Sequence, residues 1–196
     1  MSDIAILKEM IKENITVSLS EEKNGTHFNY LVELIEPQDN YSVIIDGMPK
    51  PDQVVVIKAE KFAAPKTVFQ GGKGECKRAD FIIIADTPTE KIIICIEMKK
   101  SKGNLKTVIS QLNGAKCFIS YCQEIGRIFW HQHNFLEGYQ YRFVSIAYIP
   151  VSKTKTRLNQ GKKDFKEVHD SPEKMLKIFS TNYIQFDSLI HHIPSI

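Results

Sequence analysis

Two carboxylates and an amine in this chain are spaced so that a hairpin would gather them. Residues 79–85 (Ala-Asp-Phe-Ile-Ile-Ile-Ala) and 91–99 (Lys-Ile-Ile-Ile-Cys-Ile-Glu-Met-Lys) are apolar runs of strand length, parted by Asp86-Thr-Pro-Thr-Glu90. A four-residue loop at 87–90, built on a type I turn that Pro88 favours, pairs Asp86 with Lys91, Ile84 with Ile93 and Ile82 with Cys95, and sets Asp80 opposite Glu97. Residues opposite one another on an antiparallel pair share a face, with Cβ atoms about 4.5–5.5 Å apart, and like charges there repel. A cation would answer that repulsion. Lys99 lies two residues past Glu97 and shares its face, while Ile92, Ile94, Ile96 and Met98 occupy the other. A slip of one residue would part Asp80 from Glu97.

Such a set suits phosphodiester hydrolysis. The reaction needs charge neutralised on the phosphate and leaving oxygens and a water made nucleophilic near neutral pH, and a hard divalent cation on carboxylates does both. Mg²⁺ takes only one or two protein carboxylates, so Asp80 and Glu97 suffice for one ion. Lys99 would orient or deprotonate the attacking water, or stabilise developing charge. The plainer alternative is a surface salt bridge between Glu97 and a nearby lysine. A strand apolar on both faces up to Ile96 reads as central and buried, so its polar end is expected to line a site.

The pattern Arg78-Ala-Asp80, sixteen intervening residues, then Glu97-Met-Lys99 resembles the core motif of the PD-(D/E)XK nuclease superfamily, with Ala79 where a Pro often stands. The resemblance covers roughly the central third of the chain. It implies a Mg²⁺- or Mn²⁺-dependent endonuclease with a restriction endonuclease-like core, in which Asp80, Glu97 and the Met98 carbonyl hold the metal and Lys99 serves the water or the charge. Gln111 resembles a glutamine that assists on the corresponding helix in several branches; those carry a Tyr four residues on, where this chain has Ala115. Many relatives place a further Glu on an early helix. Glu33 is the candidate here, but a helical wheel sets it away from the apolar stripe, on a solvated face, and Glu36 is no better placed. Most relatives act on DNA, which makes DNA the expected substrate and restriction, phage defence or recombination the expected setting. An RNA-directed or nucleotide-activated nuclease, and a catalytically silent nucleic-acid-binding protein of the same fold, are the alternatives. A homodimer is left open.

The elements that must position these residues are legible in outline. Residues 3–14 read as a helix, and 28–35 as a second capped by Thr26, with Phe28, Leu31, Val32 and Ile35 aligned. Residues 41–45 and 53–58 read as strands, and 105–121 as the clearest helix, with Leu105, Val108, Ile109, Leu112, Ala115 and Ile119 on one stripe. Residues 141–149 read as a further central strand ended by Pro150. Ser171-Pro172-Glu173 has the cap and first-turn proline of a helix start, and 182–196 reads as a short strand and a short helix from Asp187. The sum is one α/β domain over 1–196, with a central mixed β-sheet flanked by helices, as the nuclease resemblance also implies.

Charge is distributed unevenly. A net charge of +3 is too small to mark a nucleic-acid binder, so placement must carry that argument. Lys99, Lys100, Lys102, Lys106 and Lys116 follow one another with no acid between them, and 153–166 holds six basic residues against one acid. Arg78, Lys100, Lys102, Lys106, Lys153, Lys155 and Arg157 are therefore the candidate phosphate contacts, although lysine-rich loops are commonly just solvated. Trp130, Tyr139 and Tyr141 could stack on bases, with core packing as the default. Cys76, Cys95, Cys117 and Cys122 form no zinc pattern; Cys95 and Cys117 are expected in the core, and a reducing, cytoplasmic location follows. His131-Gln-His133 and His191-His192 lack companion ligands. The Gly71-Gly-Lys-Gly74 turn lacks a P-loop ending. No signal peptide and no apolar stretch long enough for a bilayer is expected.

Overall fold

In the computed structural model, which describes residues 1–24, 27–37, 41–100, 103–147, 168–179 and 182–191, the chain alternates strands with few helices. The order is α1 (Asp3–Met10), β1 (Ser20–Asn24), β2 (His27–Glu36), β3 (Tyr41–Asp46), β4 (Val54–Lys58), β5 (Phe81–Asp86), β6 (Lys91–Lys99), α2 (Leu105–Phe129), β7 (Gln140–Ala147), β8 (Leu176–Phe179), β9 (Tyr183–Gln185) and α3 (Phe186–Ile190).

β6 is the spine because residues 92–96 are all at most 2% exposed, which demands cover on both faces. It pairs antiparallel with β5 in the expected register, Asp86 with Lys91, Ile84 with Ile93 and Ile82 with Cys95. The Thr87 N–H closes the turn on the Glu90 carbonyl at 2.8 Å. β4 adds antiparallel to β5, while β7 runs parallel to β6 and β8 parallel to β7, giving a five-stranded mixed sheet. Parallel neighbours need a crossover, and α2 supplies it. Asn104 starts that helix by accepting from the Lys106 and Thr107 N–H groups, so α2 leaves promptly after the polar end of β6.

Alternation divides the sheet between two cores. Ile82, Ile84, Ile93 and Cys95 pack beneath α1 and α2 with Leu7, Leu112 and Ile119. Phe81, Ile83, Ile94 and Ile96 face a second sheet, β1-β2-β3-β9, through Val32, Leu34, Val43 and Ile45. Each fully buried aliphatic side chain contributes about 1.5–3 kcal/mol, and both cores depend on β5 and β6. The site at the hairpin's end therefore sits on strands whose apolar side chains are almost wholly buried.

The class is α/β as expected, but two mixed sheets replace one central sheet. The difference comes from residues 28–35, which form part of β2 and not a helix. Val32 and Leu34 are buried while Glu33 and Ile35 face solvent, the period of a strand. Pairing of Val32 with Ile45 and Leu34 with Val43 satisfies backbone and apolar surface together. Thr26, its proposed cap, lies outside the described residues.

Other boundaries shift for local reasons. α1 stops at Met10, where Ile11 turns extended, and a 3₁₀ turn occupies Glu13–Ile15. α2 continues eight residues past Tyr121. After Ser171 only a 3₁₀ turn forms at Pro172–Lys174, because the chain then pairs with β7 as β8 instead of completing a helix. β7 ends at Ala147; the rest of the expected strand and Pro150 lie outside the described residues. β9 and α3 follow the expected strand and helix, with 192–196 outside. Cys117 is exposed on α2 and Cys122 is buried in its stead, since positions 115, 119 and 122 share the face that meets the sheet.

Candidate active site

Asp80 lies one residue beyond the β5–β6 ladder, which ends at Phe81 paired with Ile96. Its backbone is held twice: its N–H donates to the Ile96 carbonyl at 3.2 Å, and its carbonyl accepts from Ala59 N–H at 2.9 Å. Its side chain is held as well, because Met98 N–H donates to Asp80 Oδ2 at 2.6 Å. The hairpin thus locks the carboxylate of one strand onto the backbone of the next.

Glu97 shares a face with Ile93 and Cys95 and is 0% exposed. Its Oε1 pairs with the Lys99 ammonium, and its Oε2 is buried without a partner. Lys99 stays partly exposed, with its stem close to Gly103. Burial dominates the electrostatics. It pushes Asp80 up to about 7 against the pull of the Met98 N–H and Lys99, and pushes Glu97 up to about 8 with the Asp80 charge adding to the effect. Burial alone would lower Lys99, but Glu97 and Asp80 outweigh it and raise its pKa above the ordinary lysine value. Two carboxyl groups this reluctant to ionise in each other's company are what a bound cation would relieve.

The donor set fits a hard cation. Glu97 offers Oε2 without a partner while Oε1 pairs with Lys99, Asp80 commits only Oδ2 to Met98, and carboxylate and carbonyl oxygens are the ligands Mg²⁺ and Mn²⁺ take. Among the described residues no three His, Cys, Asp or Glu side chains are grouped as a metal cage. Water and substrate oxygens would have to complete the coordination.

The other expected residues fall in different places. Gln111 lies one helical turn before Gly114, whose backbone abuts the Lys77 carbonyl, so it faces the segment leading to Asp80; its Oε1 is buried without a partner. Arg78 does not turn to an acid. Its guanidinium lies 4.8 Å over the Phe62 ring and donates to the Lys77 and Ala63 carbonyls. Lys100 and Lys106 are exposed, on either side of the site's rim in sequence. Lys102, Lys153, Lys155 and Arg157 lie outside the described residues. Tyr139 is buried, and Trp130 and Tyr141 pack against the helix-side core. His131 and His133 are exposed, and His191 pairs with Glu90 at 2.9 Å. Among the described residues no helix is long and apolar enough to cross a membrane.

Two acids act on the site that the sequence does not place there: Glu36, set aside with Glu33, and Glu60, which it does not single out. The charges of Glu36 and Glu60 both raise Asp80, and Glu36 also raises Glu97. Glu60 follows β4, which runs antiparallel to β5, so its strand ends where Asp80 begins. That signal was available from the strand order. Glu33, the acid singled out from the sequence, is exposed on the outer face of β2.

Comparison with protein-family models, with curated proteins and with solved structures finds no match to this chain.

Proposed function

We propose that the protein is a Mg²⁺- or Mn²⁺-dependent endonuclease that hydrolyses phosphodiester bonds of DNA at Asp80, Glu97 and Lys99. The observation that carries this reading is Glu97: a wholly buried carboxylate that pairs with the Lys99 ammonium through Oε1 alone and keeps Oε2 without a partner, beside the buried carboxylate of Asp80. Lys99 answers one such charge, and the second carboxylate beside it favours a further cation, since ionised groups in such a place are costly unless they are compensated. An Asp just before one strand and Glu-x-Lys at the end of the next, on a mixed sheet with α1 and α2 on one face, support the reading that the nuclease resemblance suggests, although the other face meets a second sheet and α3.

A divalent cation held by Asp80, Glu97 and the Met98 carbonyl would supply charge neutralisation at the phosphate and a more acidic water. The chain's own groups do the rest. Lys99, its pKa raised by its acidic neighbours, keeps its proton, which suits it to orient the attacking water or stabilise the phosphate charge and not to accept a proton. Gln111, with its carbonyl oxygen unpartnered beside the segment that carries Asp80, assists by orienting water or substrate. Lys100 and Lys106 contact the phosphate backbone.

The test is incubation of the purified protein with supercoiled DNA, linear duplex, single-stranded DNA and RNA, each in EDTA, Mg²⁺ or Mn²⁺. The expected result is metal-dependent DNA cleavage that falls by about a hundredfold or more in Asp80→Ala and Lys99→Ala. Cleavage of RNA alone would replace the substrate but keep the site. Retained binding with no cleavage of any substrate would overturn the enzymatic reading in favour of a silent nucleic-acid-binding protein.

A further inference from the structure

The glycine turn at 71–74 already holds an anion. Gly71 and Gly74 take φ values of +80° and +89°, which favour glycine, and the Gly74 N–H closes the turn on the Gly71 carbonyl at 3.2 Å. Two other N–H groups converge on one carboxylate: Gly71 donates to Glu75 Oε1 at 2.9 Å and Lys73 to Glu75 Oε2 at 2.8 Å. Backbone N–H groups gathered in this way make an anion nest. They hold the exposed Glu75 carboxyl below its ordinary value, the N–H groups of Glu75 itself and Lys73 ahead of those of Gly71 and Gly74. The mouth of the nest is open, since a Cβ on Gly72 would meet nothing within 4 Å.

Positive charge around the nest exceeds what Glu75 answers. Residues 62–79 carry Lys66, Lys73, Lys77 and Arg78 against Glu75 alone, and the three lysines are exposed. The turn also lies on the first part of α2. A Cβ on Gly74 would come within 2.8 Å of Ser110 Oγ, and the Ser110 hydroxyl donates to the Lys106 carbonyl at 3.0 Å, so nest and Lys106 share one stretch of helix. Glu75 precedes Asp80 by five residues, a span of at most about 17 Å even when extended. One strand of duplex DNA rises about 3.4 Å per nucleotide, so a strand held at Asp80 carries further phosphates within that reach. A phosphodiester has two non-bridging oxygens, matching the two carboxylate oxygens that Gly71 and Lys73 bind.

We propose that the turn from Gly71 to Glu75 is a second phosphate site for the DNA backbone, closed in the free protein by Glu75, whose carboxylate holds the N–H groups that a phosphodiester takes when DNA binds. This deepens the nuclease reading and rests on it. The exchange disturbs no core packing, because Glu75 is exposed.

The experiment measures binding of a labelled DNA duplex in EDTA across a range of salt, for the wild type, Glu75→Gln, Glu75→Ala and, as a control of equal charge change, Glu33→Gln on the outer face of β2. Both Glu75 variants are expected to bind about fivefold more tightly and to steepen the salt dependence by about one phosphate contact, with Glu33→Gln within about twofold of the wild type. Inorganic phosphate titrated into nitrogen-15-labelled protein should shift the Gly71 and Lys73 amide signals of Glu75→Ala at about a tenth of the concentration the wild type needs, since the nest is then free. DNA affinity equal in all four proteins, with metal-dependent cleavage intact, would overturn this proposal alone. Weaker binding by the Glu75 variants, with the Gly71 and Lys73 amides broadened, would also overturn it, the carboxylate then being a strut for the loop. No DNA binding and no cleavage by any of the four would overturn the nuclease reading and this proposal with it.

Discussion

Raising the pH in EDTA should loosen this protein, and the site itself should be the cause. Burial lifts Asp80 from 3.8 to about 7 and Glu97 from 4.5 to about 8. For acids with raised pKa values the folded state keeps protons that the unfolded chain has released, so stability is highest below the unfolded values and is lost as pH rises through the folded ones. Each pH unit in which one such proton is retained is worth about 1.4 kcal/mol. From about pH 5.5 to 8.5, Asp80 accounts for a loss on the order of 2 kcal/mol and Glu97 for one on the order of 3 kcal/mol. Because the Asp80 charge itself raises Glu97, the two losses are coupled and do not simply add, but either alone is a sizeable share of the roughly 5–15 kcal/mol that ordinarily holds a domain. Lys99, also raised, works the other way, but its contribution is present throughout this window and fades only above the ordinary lysine value of 10.5. The assay is urea unfolding at constant ionic strength across that range for the wild type, Asp80→Asn and Glu97→Gln. Each variant should show a shallower decline than the wild type by its own share, and both should be more stable than the wild type at the alkaline end. A difference between variant and wild type that stays flat with pH would refute the reasoning.

Two backbone features give further tests. A Cβ on Gly114 would lie 2.0 Å from the Lys77 carbonyl oxygen, whereas carbon–oxygen contacts normally begin near about 3.3 Å, so Gly114→Ala must push the segment leading to Asp80 by about 1.3 Å. The crowding should cost about 1–3 kcal/mol, offset by up to about 1 kcal/mol of helix propensity. Displacing Asp80 should lower cleavage by about a hundredfold, a larger effect than the change in urea midpoint would suggest. Asn104→Ala leaves the Lys106 and Thr107 N–H groups without their cap and should cost about 1 kcal/mol in thermal unfolding, while Asn104→Asp should restore it.

The hairpin was legible because several independent signals agree on it. Two unbroken apolar runs, a proline-bearing turn of fixed length and charges at matching ends leave one register that buries the isoleucines, and that register places Asp80, Glu97 and Lys99 together. α2 was legible for a similar reason: its stripe repeats over many turns. The stretch after Ser171 was not, since a helix start is a local preference of about 1 kcal/mol and pairing with the parallel edge of β7 outweighs it. Gln111 was placed correctly beside the apolar stripe, but only the close approach of Gly114 to Lys77 shows what it faces.

One misread period concealed both the second sheet and its acid. Phe28, Leu31, Val32 and Ile35 fit a helix, while Tyr30, Val32, Leu34 and Glu36 fit a strand, and Val32 belongs to both patterns. Over so short a window the two are nearly degenerate, and what separates them is a partner, β3, whose Val43 and Ile45 meet Leu34 and Val32. Read as a helix, the stretch sets Glu36 no better than Glu33, with no pairing strand to say where either points. On the strand Glu36 continues the line of Val32 and Leu34 and is buried with them, so the same period that hides the second sheet from a helical reading also hides which acid of this stretch faces inward and which, Glu33, faces solvent.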